Sequence, residues 1–117
     1  MTQQVYTLLV EIGRTATDGL PKRATGGALI CYTPADSPDE AVRETVAILK
    51  TADLAPLEVQ SYGTLDERLA SGDEVDQEER DLMTRAVDEN SVIVAQLRAF
   101  YPEDDELRAN DFKNDQD

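Results

Sequence analysis

The chain opens on a strict two-residue alternation. From Gln4 to Ile12, Tyr6, Leu8, Val10 and Ile12 share one parity, while Val5, Thr7, Leu9 and Glu11 share the other. A period of two places these sets on opposite faces of a strand, one wholly apolar and one mixed. Gly13 to Arg23 carries Gly19 and Pro21 and reads as a loop. A second strand is expected over Ala24 to Thr33, with Ala28, Ile30 and Tyr32 on one face and Leu29 and Cys31 on the other. Gly26 and Gly27 at its start signal a bulge or a close backbone approach.

The period then changes. Ser37-Pro38-Asp39-Glu40 has the form of a capping box. The Ser37 hydroxyl would accept from the Glu40 N–H while the Glu40 side chain reaches back. Pro38 suits the first helical position, and Asp39 and Glu40 face the positive end of the helix dipole. Val42, Thr45, Val46, Leu49 and Ala52 follow at three-and-four spacing, so a helix is predicted that stops near Asp53 and before Pro56. Leu57 to Tyr62 alternates again and predicts a third strand with one polar-leaning face. Thr64-Leu65-Asp66-Glu67 is a second capping box, but Gly72 limits it to a helical turn or two. A further helix opens at Asp76, buries Leu82, Met83, Ala86 and Val87, and closes at Asn90 as a left-handed cap. Ser91 to Tyr101 predicts the last strand, with Ile93, Ala95, Leu97, Ala99 and Tyr101 apolar and Val92, Val94, Gln96, Arg98 and Phe100 mixed.

The order is ββαβαβ. The first two strands are expected to form an antiparallel hairpin, and the two strand–helix–strand units to be right-handed crossovers. The expected architecture is α+β: a two-layer α/β sandwich with a mixed sheet and its helices on one face. It resembles a ferredoxin-like plait in size, but with a different strand order. A three-layer arrangement is the alternative, and the mixed faces of the first and last strands favour two layers. Residues 1–101 are read as this single domain. Residues 102–117 carry seven acids against two bases, with Leu107 and Phe112 their only large apolar groups. They are expected to be a disordered acidic tail.

Composition narrows the function. With 40% apolar and 31% charged residues, 117 residues can build one core inside a solvated surface. The net charge of -14 lacks the basic footprint of a nucleic-acid binder and argues against anionic lipid. No apolar run approaches the ~20 residues of a bilayer span. The first ten residues have neither a basic opening nor a long apolar stretch, so no secretory signal is expected. One cysteine, Cys31, cannot form an internal disulfide, which suits a reducing, cytoplasmic setting.

Candidate chemistry is sparse. The absence of histidine removes the imidazole base and the histidine metal ligand. Cys31, flanked by Ile30 and Tyr32 inside a strand, reads as a small buried hydrophobe. Glu78, Glu79 and Asp81 read as a solvated helix start, and the chain has no EF-hand spacing, no P-loop and no Gly-x-Gly-x-x-Gly. No catalytic residue, cofactor or metal is assigned. Arg14, Lys22 and Arg23 cluster in or beside the first loop, and with the Gly26 and Gly27 amides they define a candidate anion site.

The reading that follows is a non-catalytic protein-interaction module, homodimeric through its sheet face. Val5, Leu9, Val92, Val94, Gln96, Arg98 and Phe100 are the expected interface, and Glu11 or Glu58 of either chain the expected partner of Arg98. The alternative is a regulatory domain that binds a small anion or effector at the first loop. An acidic inhibitor that mimics nucleic acid ranks third.

Overall fold

The computed structural model describes residues 3–101. The expected tail at 102–117 lies outside the described residues. Four strands and three helices follow in the order β1 (Gln4–Ile12), β2 (Gly26–Ala35), α1 (Pro38–Thr51), β3 (Pro56–Thr64), α2 (Leu65–Ala70), α3 (Gln77–Glu89) and β4 (Ile93–Phe100). The strands form one sheet in the order β3-β1-β2-β4.

The caps that predict the helices are in place, but the box at Ser37 closes only one arm, because the Glu40 side chain accepts from the Asp36 N–H at 3.3 Å and not from the Ser37 N–H. Ser37 accepts from the Glu40 N–H at 3.2 Å with Pro38 opening α1. Thr64 and Glu67 close both arms of the capping box on α2. Asp76 caps α3 through the Glu79 N–H at 2.9 Å, and Asn90 ends it at φ 49°. These bonds satisfy the orphan N–H groups that a short helix cannot satisfy within itself.

The α+β class and the sheet-and-helix sandwich stand as expected. Two details are corrected. The sheet is not mixed, because β1–β2, β1–β3 and β2–β4 all pair antiparallel. β2 and β3 both oppose β1, so they run parallel to each other and α1 crosses over β1 between them. β4 opposes β2 and is therefore antiparallel to β3, so the crossover expected for the second unit does not form.

The helices are also not confined to one face. Leu8 stands opposite Cys31 and Val10 opposite Leu29, and these pack with Ala41 and Leu49 of α1. Tyr32, one residue from Cys31, points the other way and packs with Met83 and Ala86 of α3. The reason lies in β2. As an inner strand it is buried along nearly its whole length, and Ala28-Leu29-Ile30-Cys31-Tyr32 is a continuous apolar run suited to both faces. On the first face α1 lies over β1, β2 and β3 and leaves β4 without a helix. On the second, α2 and α3 cover only the half nearest Val5, Thr7, Tyr32 and Ile93.

Candidate functional site

The uncovered half of the second face is a grid that the register defines. Gln60, Leu9, Ile30 and Gln96 stand side by side across β3, β1, β2 and β4. The next row is Glu58, Glu11, Ala28 and Arg98. Leu9, Ala28 and Ile30 are half-buried, with Ile30 packing against the margin of the α3 core, while Gln60, Gln96, Glu58, Glu11 and Arg98 are exposed. The second row thus carries two acids at one side of the sheet and a base at the other. At about 4.8 Å per strand, Arg98 is two strands from Glu11 and three from Glu58. Among the described residues no ion pair involves Arg98.

Of the expected interface, Leu9, Gln96, Arg98 and Phe100 belong to this side of the sheet. Val5 does too, but it packs against the core beneath α3. Val92 and Val94 do not belong, and this is a correction. The β2–β4 register shifts between Ile30 and Cys31, so Ile30 faces Gln96 while Cys31 faces Val94. Such an irregularity inverts the parity of everything beyond it. Val92 therefore packs on the α1 core and Val94 is exposed on the α1 side.

The first loop uses its charges internally. Arg14 donates to Asp18 at 2.8 Å, to the Pro21 carbonyl at 2.9 Å and also to the Ala24 carbonyl. Asp18 accepts in turn from the Thr15 and Leu20 N–H groups. The Thr15 amide, the Arg14 guanidinium and the Leu20 amide hold its carboxyl below the ordinary 3.8, at about 2. This is a closed turn that places Leu20 and Ala24 in the α1 core. Gly26 and Gly27 serve close approach: a Cβ on Gly26 would lie 2.6 Å from the Ile12 oxygen, and one on Gly27 2.9 Å from the Arg98 oxygen. Lys22 and Arg23 are exposed in the same loop.

One polar cluster is unforeseen by the sequence. The Tyr32 hydroxyl, beneath α3, donates to Glu79 Oε1 at 2.6 Å. Arg68 of α2 donates to the same oxygen at 3.0 Å, to Asp73 at 3.2 Å and to the Thr7 hydroxyl at 3.2 Å. Burial, reinforced by the hydrogen bond to Glu79, pushes the Tyr32 phenol well above its usual range. Burial works against the Arg68 charge, but Glu79 and Asp73 outweigh it and hold the guanidinium protonated. The cluster ties α2, α3 and the sheet together. Apart from Arg68 and Asp73, the bonded pairs lie 11 to 61 positions apart in the chain, so no local motif could reveal them. Cys31 is fully buried and its thiol is pushed up to about 11 by burial, which makes it inert as a nucleophile.

Among the described residues, no group of acidic or cysteine side chains is arranged to hold a metal ion, and no helix is long and apolar enough to cross a membrane. No curated protein and no solved structure matches the chain. Residues 5–101 match the model of one family, described as Domain of unknown function (DUF8846), and on that match the chain belongs to this family.

Proposed function

We propose that this protein is a non-catalytic interaction module that pairs with a second copy of itself through the open half of its sheet. The observation that carries the reading is the self-complementary grid. A two-fold axis running along the strands, between two facing sheets, sets β4 of one copy over β3 of the other. Arg98 then meets the partner's Glu58, Gln96 meets the partner's Gln60, and Leu9 meets the partner's Ile30. Aliphatic contacts fall at the centre and polar ones at the rim, which is the ordinary anatomy of an interface. Because α2 and α3 stand on the other half of the same face, the two sheets meet only over the open rows and diverge toward the helix-covered end. Two rows across four strands make a small patch, so a weak dimer in exchange with monomer is expected.

Sedimentation equilibrium at submillimolar concentration in moderate salt tests this. Wild-type protein should dimerise, Arg98→Glu should be monomeric, and Arg98→Glu with Glu11→Arg and Glu58→Arg should recover the dimer. A wild-type monomer, or failure of the reversed row to recover association, would overturn the reading.

A further inference from the structure

The two edges of the sheet are built differently. β3 enters at Pro56, carries Glu58, meets β1 through two register shifts and holds Gly63 at φ +88° beside its last residue, Thr64. Proline, charge and irregular pairing are the usual means of blunting a strand edge against a further strand. β4 has no proline, and its one charged side chain, Arg98, lies on the α3 side of the sheet. From Ser91 to Tyr101 it holds no proline and no acid, in a chain of 25 acids. Among the described residues no strand pairs with its outer edge, and on the α1 side Val94 and Leu97 are 44% and 55% exposed. α1 stops short of this strand, and a groove of about 500 Å³ lies between α1, the end of β2 and the segment 90–92 that leads into β4, with Ile48 and Val92 in its wall. Glu40 and Glu44 of α1 line the same groove, and no basic side chain does.

We infer that the β4 edge receives an extended, basic segment of a partner protein as a fifth strand. Main-chain hydrogen bonds to β4 would supply the register-independent affinity, as in other edge-strand complexes. Aliphatic side chains on the α1 side of that strand cover Val94 and Leu97. Lysine or arginine at the end beside Val92 meets Glu40 and Glu44. Charge selects this occupant over the two others at hand. A second copy placed edge to edge would set two acidic grooves on one continuous sheet. The chain's own residues 102–117, with seven acids against two bases, would bring like charge to Glu40 and Glu44. This edge is separate from the grid that supports the dimer, and either reading can fail without the other.

The test titrates ¹⁵N-labelled full-length protein, held below its self-association range, with a short capped peptide of valine and threonine bearing lysines at one end. The control has glutamates in their place. The lysine peptide should shift the amides of Val92–Phe100 and slow their hydrogen exchange, and the glutamate peptide should not. Glu40→Gln with Glu44→Gln should weaken binding about five- to tenfold, since two exposed ion pairs are lost while glutamine keeps the helix-capping reach. Val94→Thr with Leu97→Thr keeps strand propensity and should abolish binding with the spectrum otherwise unchanged. Equal binding of both peptides would overturn the inference. So would shifts centred on Leu9 and Ile30, or no shift of β4 at submillimolar peptide.

Discussion

The two cores on either side of the sheet are closed by different means. Beneath α1, Leu8, Val10, Ile12, Cys31, Ala41 and Leu49 are each at most 1% exposed. A pair of buried threonines lies among them: Thr45 donates to the Ala41 carbonyl at 2.8 Å, which leaves Thr33 to donate to Thr45 at 2.6 Å. Beneath α3 the core is smaller, built on Tyr32, Val75, Met83, Ala86 and Ile93. Its wall is the charged cluster of Arg68, Glu79 and Asp73 rather than more apolar surface. Apolar area drives burial in proportion to how much of it there is. A face that ends in a salt-bridged wall therefore stops recruiting cover, and the rows of Leu9 and Glu11 stay open beyond it. The open half of the sheet is a consequence of how its second core is finished.

The comparison breaks first at a large-to-small change in each core. Leu49→Ala should cost about 2–5 kcal/mol, the range for a fully enclosed leucine. Met83→Ala should cost less, because Met83 also lines a surface groove with Thr84 and Val87, into which the neighbours can relax. Urea unfolding midpoints of the two variants measure this directly. Equal losses would mean that the second core is as tightly enclosed as the first.

The polar wall comes next. Glu79→Gln leaves the Arg68 guanidinium, with only 11% of its side chain exposed, short of its closest carboxylate. It should cost about 1–3 kcal/mol, whereas Tyr32→Phe removes one hydroxyl and should cost about 0.5–1.5 kcal/mol. The two changes share one oxygen, so their effects should fall short of additivity in a double-mutant cycle. Strict additivity would show that the hydroxyl and the guanidinium do not act through Glu79 together.

Ser37→Ala should cost about 0.5–2 kcal/mol by removing the acceptor for the Glu40 amide. The same denaturation experiment reads it, and an unchanged midpoint would remove the cap from the account of α1.

Those caps also mark how far the sequence could be read. Ser37, Thr64, Asp76 and Asn90 act within four residues of themselves, and the parity of β1 is a period-two signal needing no partner. Each is therefore visible in one dimension. The placement of α3 was not, because the second face of β1 is mixed for a reason that sequence does not separate. Val5 and Thr7 lie under cover while Leu9 and Glu11 lie beyond it. Alternation reports an average over the strand, whereas the covered boundary falls midway along it. The continuous run Ala28 to Tyr32 was the better witness to burial on both faces. The register shift opposite Ile30 and Cys31 has no glycine or proline to announce it in β4, so Val92 and Val94, two of the seven expected interface residues, lie on the other side unsignalled. The cluster at Glu79 depends on residues from β1, β2, α2 and α3 meeting at one point, which only the fold supplies.

The smallest effect is expected in the first loop, which attaches to the α1 core through Leu20 and Ala24 and has no counterpart on the other face. Asp18 is the centre of that loop, accepting from the Thr15 amide, from Arg14 and from the Leu20 amide. Its pKa falls from 3.8 to about 2 on folding. A group depressed in the folded state binds its proton more weakly there than in the unfolded chain, so it stabilises the fold while both states are ionised. That contribution is complete above the unfolded value and disappears as pH falls from about 4 to about 2. Asp18→Asn should lack this acid-dependent part, so the stability difference between the two proteins should narrow over the same interval and stay constant above it. Thermal unfolding followed from pH 5 to pH 2 checks the expectation. A difference that is flat throughout would show that the loop is held to the first core by Leu20 and Ala24 alone, with Arg14 bound to the backbone carbonyls and owing nothing to Asp18.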